Sequence, residues 1–244
     1  ATITEIEAPT GSLVSTTDAT CGNANGGATV SVSQGTPPYT YSWSVTNPST
    51  ASVTNLPGGS HGVTVVDARN CIAVLPITIT AIAGPTSADL AATNTVCTEG
   101  NGAVTATPVG GTGPYTFAWS HDVSVTTATA SNLNSGSYTV TVLDDNGCEI
   151  SNSIMVELET GPSIDAITAN NSLCENGNGT ISVNASGGQA PLTYTWDNNI
   201  GQADSSISDL DVGTYTVTVE DANGCTQIAS ASIALEPAPS AFVG

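Results

Sequence analysis

Residues Asp209 to Cys225 read DLDVGTYTVTVEDANGC, and the same phrase stands at 132–148 as NLNSGSYTVTVLDDNGC and at 55–71 as NLPGGSHGVTVVDARNC. Within it, TYTVTV alternates apolar and polar residues with period two, the pattern of a half-buried β-strand. Tyr215, Val217 and Val219 share one face, and Thr216, Thr218 and Glu220 share the other. The first face is the expected core. A catalytic site is assembled from unlike parts, whereas a phrase repeated at fixed spacing builds an array.

The other landmarks keep the same step. Cys71, Cys148 and Cys225 recur with a period of about 77 residues, and so do Trp43, Trp119 and Trp196. Pro9, Pro85, Pro162 and Pro239 follow the same rhythm. Proline fixes φ and resists strand continuation, so these prolines mark short, stiff joints. The expected organisation is a tail strand of a preceding repeat at 1–8, repeats at 9–84, 85–161 and 162–238, and the start of a following repeat at 239–244. On this reading the chain is cut from a longer array.

Only 9% of the residues are charged, and Thr, Ser, Asn, Ala, Val and Gly dominate, a composition suited to short strands and polar turns. The formal charge of −20 comes from a single Lys or Arg set against 21 Asp and Glu. Such a chain offers no footprint for nucleic acid or anionic lipid. No run of about 18 apolar residues suggests membrane insertion.

Short alternating runs separated by Gly, Asn, Asp and Pro predict an all-β fold, an immunoglobulin-like antiparallel β-sandwich in each repeat of about 77 residues. The stripes Tyr39/Tyr41/Trp43, Tyr115/Phe117/Trp119 and Leu192/Tyr194/Trp196 read as core rather than as a sugar-binding platform. Leu210, Gly213 and Tyr215 resemble the tyrosine corner of such sandwiches, with Tyr138 in the same place in the second copy. His61 replaces the tyrosine in the first copy and can still donate one hydrogen bond.

Six cysteines, Cys21, Cys71, Cys97, Cys148, Cys174 and Cys225, recur in step with the repeat without a CxxC or His partner for zinc. They read as structural disulfides in an oxidising, extracellular location. Pairing within each copy would close loops of about 50 residues and stabilise a small sandwich by roughly 4 kcal/mol. The rival pairs Cys71 with Cys97 and Cys148 with Cys174 across the joints. The within-copy arrangement is favoured because it makes each domain complete.

Nucleophilic catalysis needs a base beside a nucleophile and an orienting acid. His61 and His121 fall in different copies, so no enzyme is expected. Asp67, Asp144 and Asp221 recur at the end of the late strand, with Asp145 or Glu220 adding a carboxylate in two copies. These are candidate calcium ligands, but calcium takes six to eight oxygens, and an aspartate capping its own tight turn is the simpler reading.

PLTYTW followed by L-x-x-G-x-Y-T-V-T-V-x-D-x-N-G-C resembles the SprB-type repeat of very large surface proteins of gliding and related Bacteroidota. The third copy fits best. The first departs at His61, Gly62 and Asn70. The resemblance implies export by the type IX route, a place on the cell surface in long filaments, and a role in adhesion or gliding motility. The partners it implies are neighbouring repeats, other cells and surface polysaccharide. The leading expectation is a non-enzymatic adhesin shaft or multivalent adhesion surface. The alternative is a self-assembling extracellular fibre or sheath, suggested by edge strands without lysine.

Overall fold

The computed structural model describes residues 7–45, 48–173, 177–197 and 203–236. The expected strand at 1–8 and the opening of a further repeat at 239–244 therefore fall largely or wholly outside the described residues, as does Cys174. The described residues form β-strands and turns without a helix.

The first copy contributes β1 (Thr10–Thr17), β2 (Ala19–Thr20), β3 (Gly26–Ser33), β4 (Thr40–Trp43), β5 (Ser52–Leu56), β6 (Gly59–Val66), β7 (Ile72–Ile79) and β8 (Ala81–Ile82). The second contributes β9 (Pro85–Thr93), β10 (Thr95–Val96), β11 (Gly102–Gly110), β12 (Thr116–Trp119), β13 (Thr129–Leu133), β14 (Gly136–Leu143), β15 (Glu149–Val156) and β16 (Leu158–Glu159). The third contributes β17 (Pro162–Asn170), β18 (Ser172–Leu173), β19 (Gly179–Gly187), β20 (Thr193–Trp196), β21 (Ser206–Leu210), β22 (Gly213–Glu220), β23 (Thr226–Ile233) and β24 (Leu235–Glu236).

The chain divides into two compact units. One holds 1–91, 105–128 and 138–153, and the other holds 92–104, 129–137 and 154–244. In the first unit, sheet β1-β3-β5 and sheet β4-β6-β7 face each other, and β2 pairs with β8 in a parallel bridge. Val30, Val53, Leu56, Val63, Val65, Ile77, Ile79 and Trp43 fill the space between the sheets. The second unit repeats the plan with sheets β17-β19-β21 and β20-β22-β23 and the bridge β18–β24. Its core contains Ile181, Val183, Trp196, Ile207, Leu210, Val217, Val219 and Ile233. Pro76 lies in β7, an edge strand of its sheet, where a missing N–H breaks no ladder.

The period-two reading holds residue by residue. Tyr215, Val217 and Val219 are buried, as are Trp43, Trp119, Trp196 and Tyr138, while Tyr41 and Tyr194 are half-buried beside them. The opposite face of β22 carries hydroxyls paired across to β23, Thr214 with Ser232 and Thr216 with Ser230, each at 3.0 Å. Such pairs let the outer face stay polar with few charges.

The first residue of each repeated phrase explains itself in the backbone. Asn55, Asn132 and Asp209 have φ of 61°, 58° and 58°, the left-handed region that Asn and Asp tolerate best among non-glycine residues. At Asp209 this conformation creates a bulge. Gly179 pairs with Leu210 and Ile181 with Ile207, so one extra residue is absorbed in β21.

The corner also forms. Tyr215 donates its hydroxyl to the Asp211 carbonyl at 2.9 Å, and the His61 Nε2 lies 2.8 Å from the Pro57 carbonyl at the matching place. The histidine keeps that bond but buries its Nδ1 without a partner. A buried polar atom left unpaired costs about 1–3 kcal/mol. His61→Tyr is therefore expected to stabilise the first copy by about 1 kcal/mol, read as a higher urea midpoint at unchanged slope. A fall in the midpoint would show that the site cannot accept the phenol ring.

Candidate functional site

The repeated aspartate builds one pole of each copy. Asp221 Oδ1 accepts the N–H groups of Asn223 and Cys225, each at 2.9 Å, and its Oδ2 accepts that of Gln189 at 3.0 Å. Asp144 does the same with Asn146 at 3.0 Å, Cys148 at 2.8 Å and Thr112 at 3.1 Å. Asp67 takes Arg69, Cys71 and Thr36, each at 2.9 Å. The carboxylate thus caps its own turn and pulls in the loop that follows the third strand of its copy.

Glycine is required in that loop. A Cβ on Gly188, at φ +65°, would stand 2.8 Å from Asp221 Oδ2 and 3.0 Å from the Pro162 nitrogen, and one on Gly111 would stand 2.9 Å from both Asp144 Oδ2 and the Pro85 nitrogen. Joint proline, glycine loop, aspartate turn and second cysteine converge here, and we call this the leading pole.

All three carboxyls are held below the ordinary aspartate value of 3.8. In Asp67 the Thr36 N–H, and in Asp221 the Gln189 N–H, is the main cause, working against burial. In Asp144 burial is the largest influence and raises the value, but the N–H groups of Cys148, Thr112 and Asn146 together outweigh it. A carboxyl with a depressed folded pKa contributes stability that is complete above the unfolded value and is lost as pH falls through the folded one. Stability is expected to be flat above about pH 5 and to fall steadily below about pH 4. The acid-unfolding midpoint should move toward neutral pH in Asp144→Asn and Asp221→Asn. Identical midpoints in wild type and variants would contradict this role.

The second carboxylates do not join these turns, since Asp145 and Glu220 are exposed. Among the described residues no three His, Cys, Asp or Glu are grouped to hold a metal ion. The amide donors around each aspartate favour its negative charge without a cation. His121 packs edge-on against Trp119 and Tyr138, with centroids 6.3 Å and 5.1 Å away. Its neighbour Asp122 is turned to Ser124, accepting the hydroxyl at 2.7 Å and the N–H at 2.9 Å.

The opposite pole carries the first cysteine. The Cys21 N–H donates to the Ile82 carbonyl and the Cys97 N–H to the Glu159 carbonyl, each at 3.0 Å, extending the β2–β8 and β10–β16 bridges. Cys21 and Cys97 therefore lie where the chain leaves their copies, at a trailing pole.

This placement overturns the within-copy pairing. Cys71 precedes β7, and Cys21 lies beyond its far end, next to β8. Eight strand residues span about 27 Å, whereas a disulfide needs Cα atoms roughly 4.4–6.8 Å apart. The bonds run instead from Cys21 to Cys148 and from Cys97 to Cys225, with Cα–Cα distances of 5.1 Å in both. The first cysteine of one copy is tied to the second cysteine of the next. The rival pairs Cys71–Cys97 and Cys148–Cys174 are excluded with it, because Cys97 and Cys148 are already bonded. Cys71 is a free, half-buried thiol.

The bonds lie against the joints. A Cβ on Gly84 would come 2.5 Å from the Cys148 Cβ, and one on Gly161 would come 2.6 Å from the Cys225 Cβ. The glycine of each Gly-Pro joint thus leaves room for the bond. At the second joint Glu159 accepts hydrogen bonds from Asn94 of its own copy at 3.0 Å and from Asn223 of the next at 3.1 Å.

Fold and joints together define a class: immunoglobulin-like β-sandwiches in tandem, with neighbours joined by a disulfide as well as by the backbone. In the comparison with protein families, the SprB repeat model matches the chain in three tandem segments, at residues 13–47, 90–124 and 166–201. Each match runs from the first strand of a copy past its tryptophan, so the phrase at 209–225 lies outside the matched segments.

No curated protein sequence matches the chain. Among solved structures it is similar to the N-terminal eight Ig domains of Down Syndrome Cell Adhesion Molecule, with 14% identity and a TM-score of 0.38 over 93% of this chain and 42% of that one. It is also similar to Sidekick-1 immunoglobulin domains 1–5, with 13% identity and a TM-score of 0.37 over 95% of this chain and 60% of that one. The chain thus spans less than two thirds of either structure. Among the described residues no helix is long and apolar enough to cross a membrane.

Proposed function

We propose that this chain is a segment of the shaft of an extracellular adhesin, a filament that carries tension between a cell and what it attaches to. The observation that carries this reading is the pairing of Cys21 and of Cys97 with the second cysteine of the next copy. Pulled from Pro9 to Glu236, the backbone alone would pay out every residue between them. With both bonds closed, a covalent path needs only the stretches from Pro9 to Cys21, from Cys97 to Cys148 and from Cys225 to Glu236, about a third of that length. At about 3.5 Å per residue the longest possible extension falls from about 800 Å to about 260 Å. A pulled shaft gains from this, because a copy that unfolds under load cannot release its full length.

Disulfides persist in oxidising, extracellular surroundings, and the SprB family supports a place on the cell surface. Export by the type IX route and service in gliding or attachment are the finer forms of the same proposal. Its domains are the repeats at 9–84, 85–161 and 162–238. Its partners are adjoining repeats and, through many weak and similar faces, other cells or surface polysaccharide.

Single-molecule pulling between residues 9 and 236 tests the tension role. The oxidised chain is expected to stop extending near about 260 Å and the reduced chain near about 800 Å. Equal extension in both states would show that the bonds carry no load.

A further inference from the structure

The outer face of sheet β4-β6-β7 is built differently from its counterparts in the other two copies. In the second copy hydroxyl pairs hold this face, Thr139 with Ser153 at 2.7 Å and Thr141 with Ser151 at 2.8 Å, and in the third Thr216 pairs with Ser230 at 3.0 Å. One corner carries an exposed carboxylate, Glu149 at the start of β15 or Glu220 at the end of β22. In the first copy Gly62 stands opposite Pro76, Thr64 opposite Val74 and Val66 opposite Ile72, so none of these pairs joins two hydroxyls and the carboxylate corner is apolar. Along β7 the alternation buries Ile77 and Ile79 and leaves Ile72, Val74 and Pro76 outward. Ile72 is 61% exposed and Val74 69% exposed. The strands β4 and β6 otherwise add only Ser, Thr and Gly, and no side chain of the face is charged. Three strands of this spacing and length give a face of about 400 Å², a size at which an exposed patch on a monomer is often an interaction site.

Charge decides what can cover it. Residues 9–84 hold two acids, Asp18 and Asp67, against Arg69, a net of −1, whereas 85–161 hold eight acids and 162–238 hold nine, with no Lys or Arg in either stretch. Like molecules therefore repel wherever their second and third copies meet, most strongly at low salt. A basic partner would be drawn to those copies and away from the neutral face. The same face on a second molecule brings no charge to the contact, and a two-fold axis is enough to set one against the other. Pro76 lacks the N–H that a continuous edge ladder would use, so β7 favours contact through its face over the addition of a strand.

We infer that two copies of this chain associate side by side and reversibly through the outer face of β4-β6-β7, burying Ile72, Val74 and Pro76 of each against the other. At about 800 Å² in total the contact belongs to the weak, transient class, and it gains strength where many chains lie together. It goes beyond the tension role and is independent of it, since that role is read from the disulfides alone.

Sedimentation equilibrium from low micromolar to submillimolar concentration tests the contact, with both internal bonds intact and Cys71→Ser in every sample so that no thiol links two molecules. A monomer–dimer equilibrium is expected, tightening as salt screens the acidic copies. Ile72→Glu combined with Val74→Ser places on the first copy the residue types that the second copy carries at Glu149 and Ser151, and should weaken the dimer at least about tenfold with an unchanged circular dichroism spectrum. Val74→Thr, which keeps the strand shape, should weaken it about threefold and serves if the double substitution misfolds. A dimer that these substitutions leave unchanged, a dimer that weakens as salt rises, or growth into larger species would each overturn the inference. A chain that stays monomeric at every concentration and salt would overturn it as well and leave the face to a partner of different chemistry.

Discussion

Reducing Cys21–Cys148 and Cys97–Cys225 is expected to leave the β-sheet signal of the chain intact while opening both Gly-Pro joints to protease. The bonds join residues 127 and 128 apart in sequence, for which the chain-entropy account gives about 5 kcal/mol each if the whole loop unfolded as one. The loops do not unfold as one. Between Cys21 and Cys148 lie strands of two copies, and the first copy has a core of its own that contains no bonded cysteine. The stabilisation therefore falls on the joint. Far-UV circular dichroism should change little on reduction, and a protease with broad specificity should cut around Gly84–Pro85 and Gly161–Pro162 at least tenfold faster, a rate ratio set by about 1.4 kcal/mol of opening. If reduction instead melted the sheets at ambient temperature, the bonds would be acting inside the copies.

The second large effect belongs to the tryptophans. Trp196 is 5% exposed in the core of the third copy, and its indole N–H donates to the Asp204 carbonyl at 3.2 Å, anchoring the segment that leads into β21. Trp43 and Trp119 repeat the contact with the Thr50 and Thr127 carbonyls, each at 3.0 Å. Trp→Ala in a core costs about 3–5 kcal/mol, and a domain of this size has roughly 4–12 kcal/mol in total. Trp196→Ala should bring the calorimetric transition of the third copy down by at least about 15 °C, with the first copy keeping its own. A loss below about 1 kcal/mol would show an exposed aromatic platform instead of a core.

Both outcomes hang on features that differ in how plainly the residue order announces them. The strands, the core face of TYTVTV and the tryptophan stripes follow from period two, because one buried face per strand leaves that trace in the sequence. The corner was legible too, since Tyr215 and His61 both have a group that can bond a carbonyl four positions back. The turn-capping role of Asp67, Asp144 and Asp221 could be weighed but not measured, because its donors at Thr36, Thr112 and Gln189 come from distant upstream loops.

The disulfide partners were not legible. Which pole a cysteine occupies depends, for Cys21 and Cys97, on the parallel bridges β2–β8 and β10–β16, each only two residue pairs long. So short a bridge carries no periodicity, and nothing in ATC or TVC marks the place where the chain leaves its copy. A loop confined to one copy looked economical, yet its bond would have to span the length of a strand. Gly84 and Gly161 held the one available signal, a glycine before the joint proline, and its meaning appears only when the neighbouring sulfur is in place.

The most direct test of the joint is peptide mapping of the unreduced chain, digested with pepsin at low pH so that thiols do not exchange. The joint geometry predicts peptides linking Cys21 to Cys148 and Cys97 to Cys225, with Cys71 recovered as a thiol in the monomer. Peptides linking Cys21 to Cys71 or Cys97 to Cys148 would contradict it, returning each bond to the inside of a single repeat.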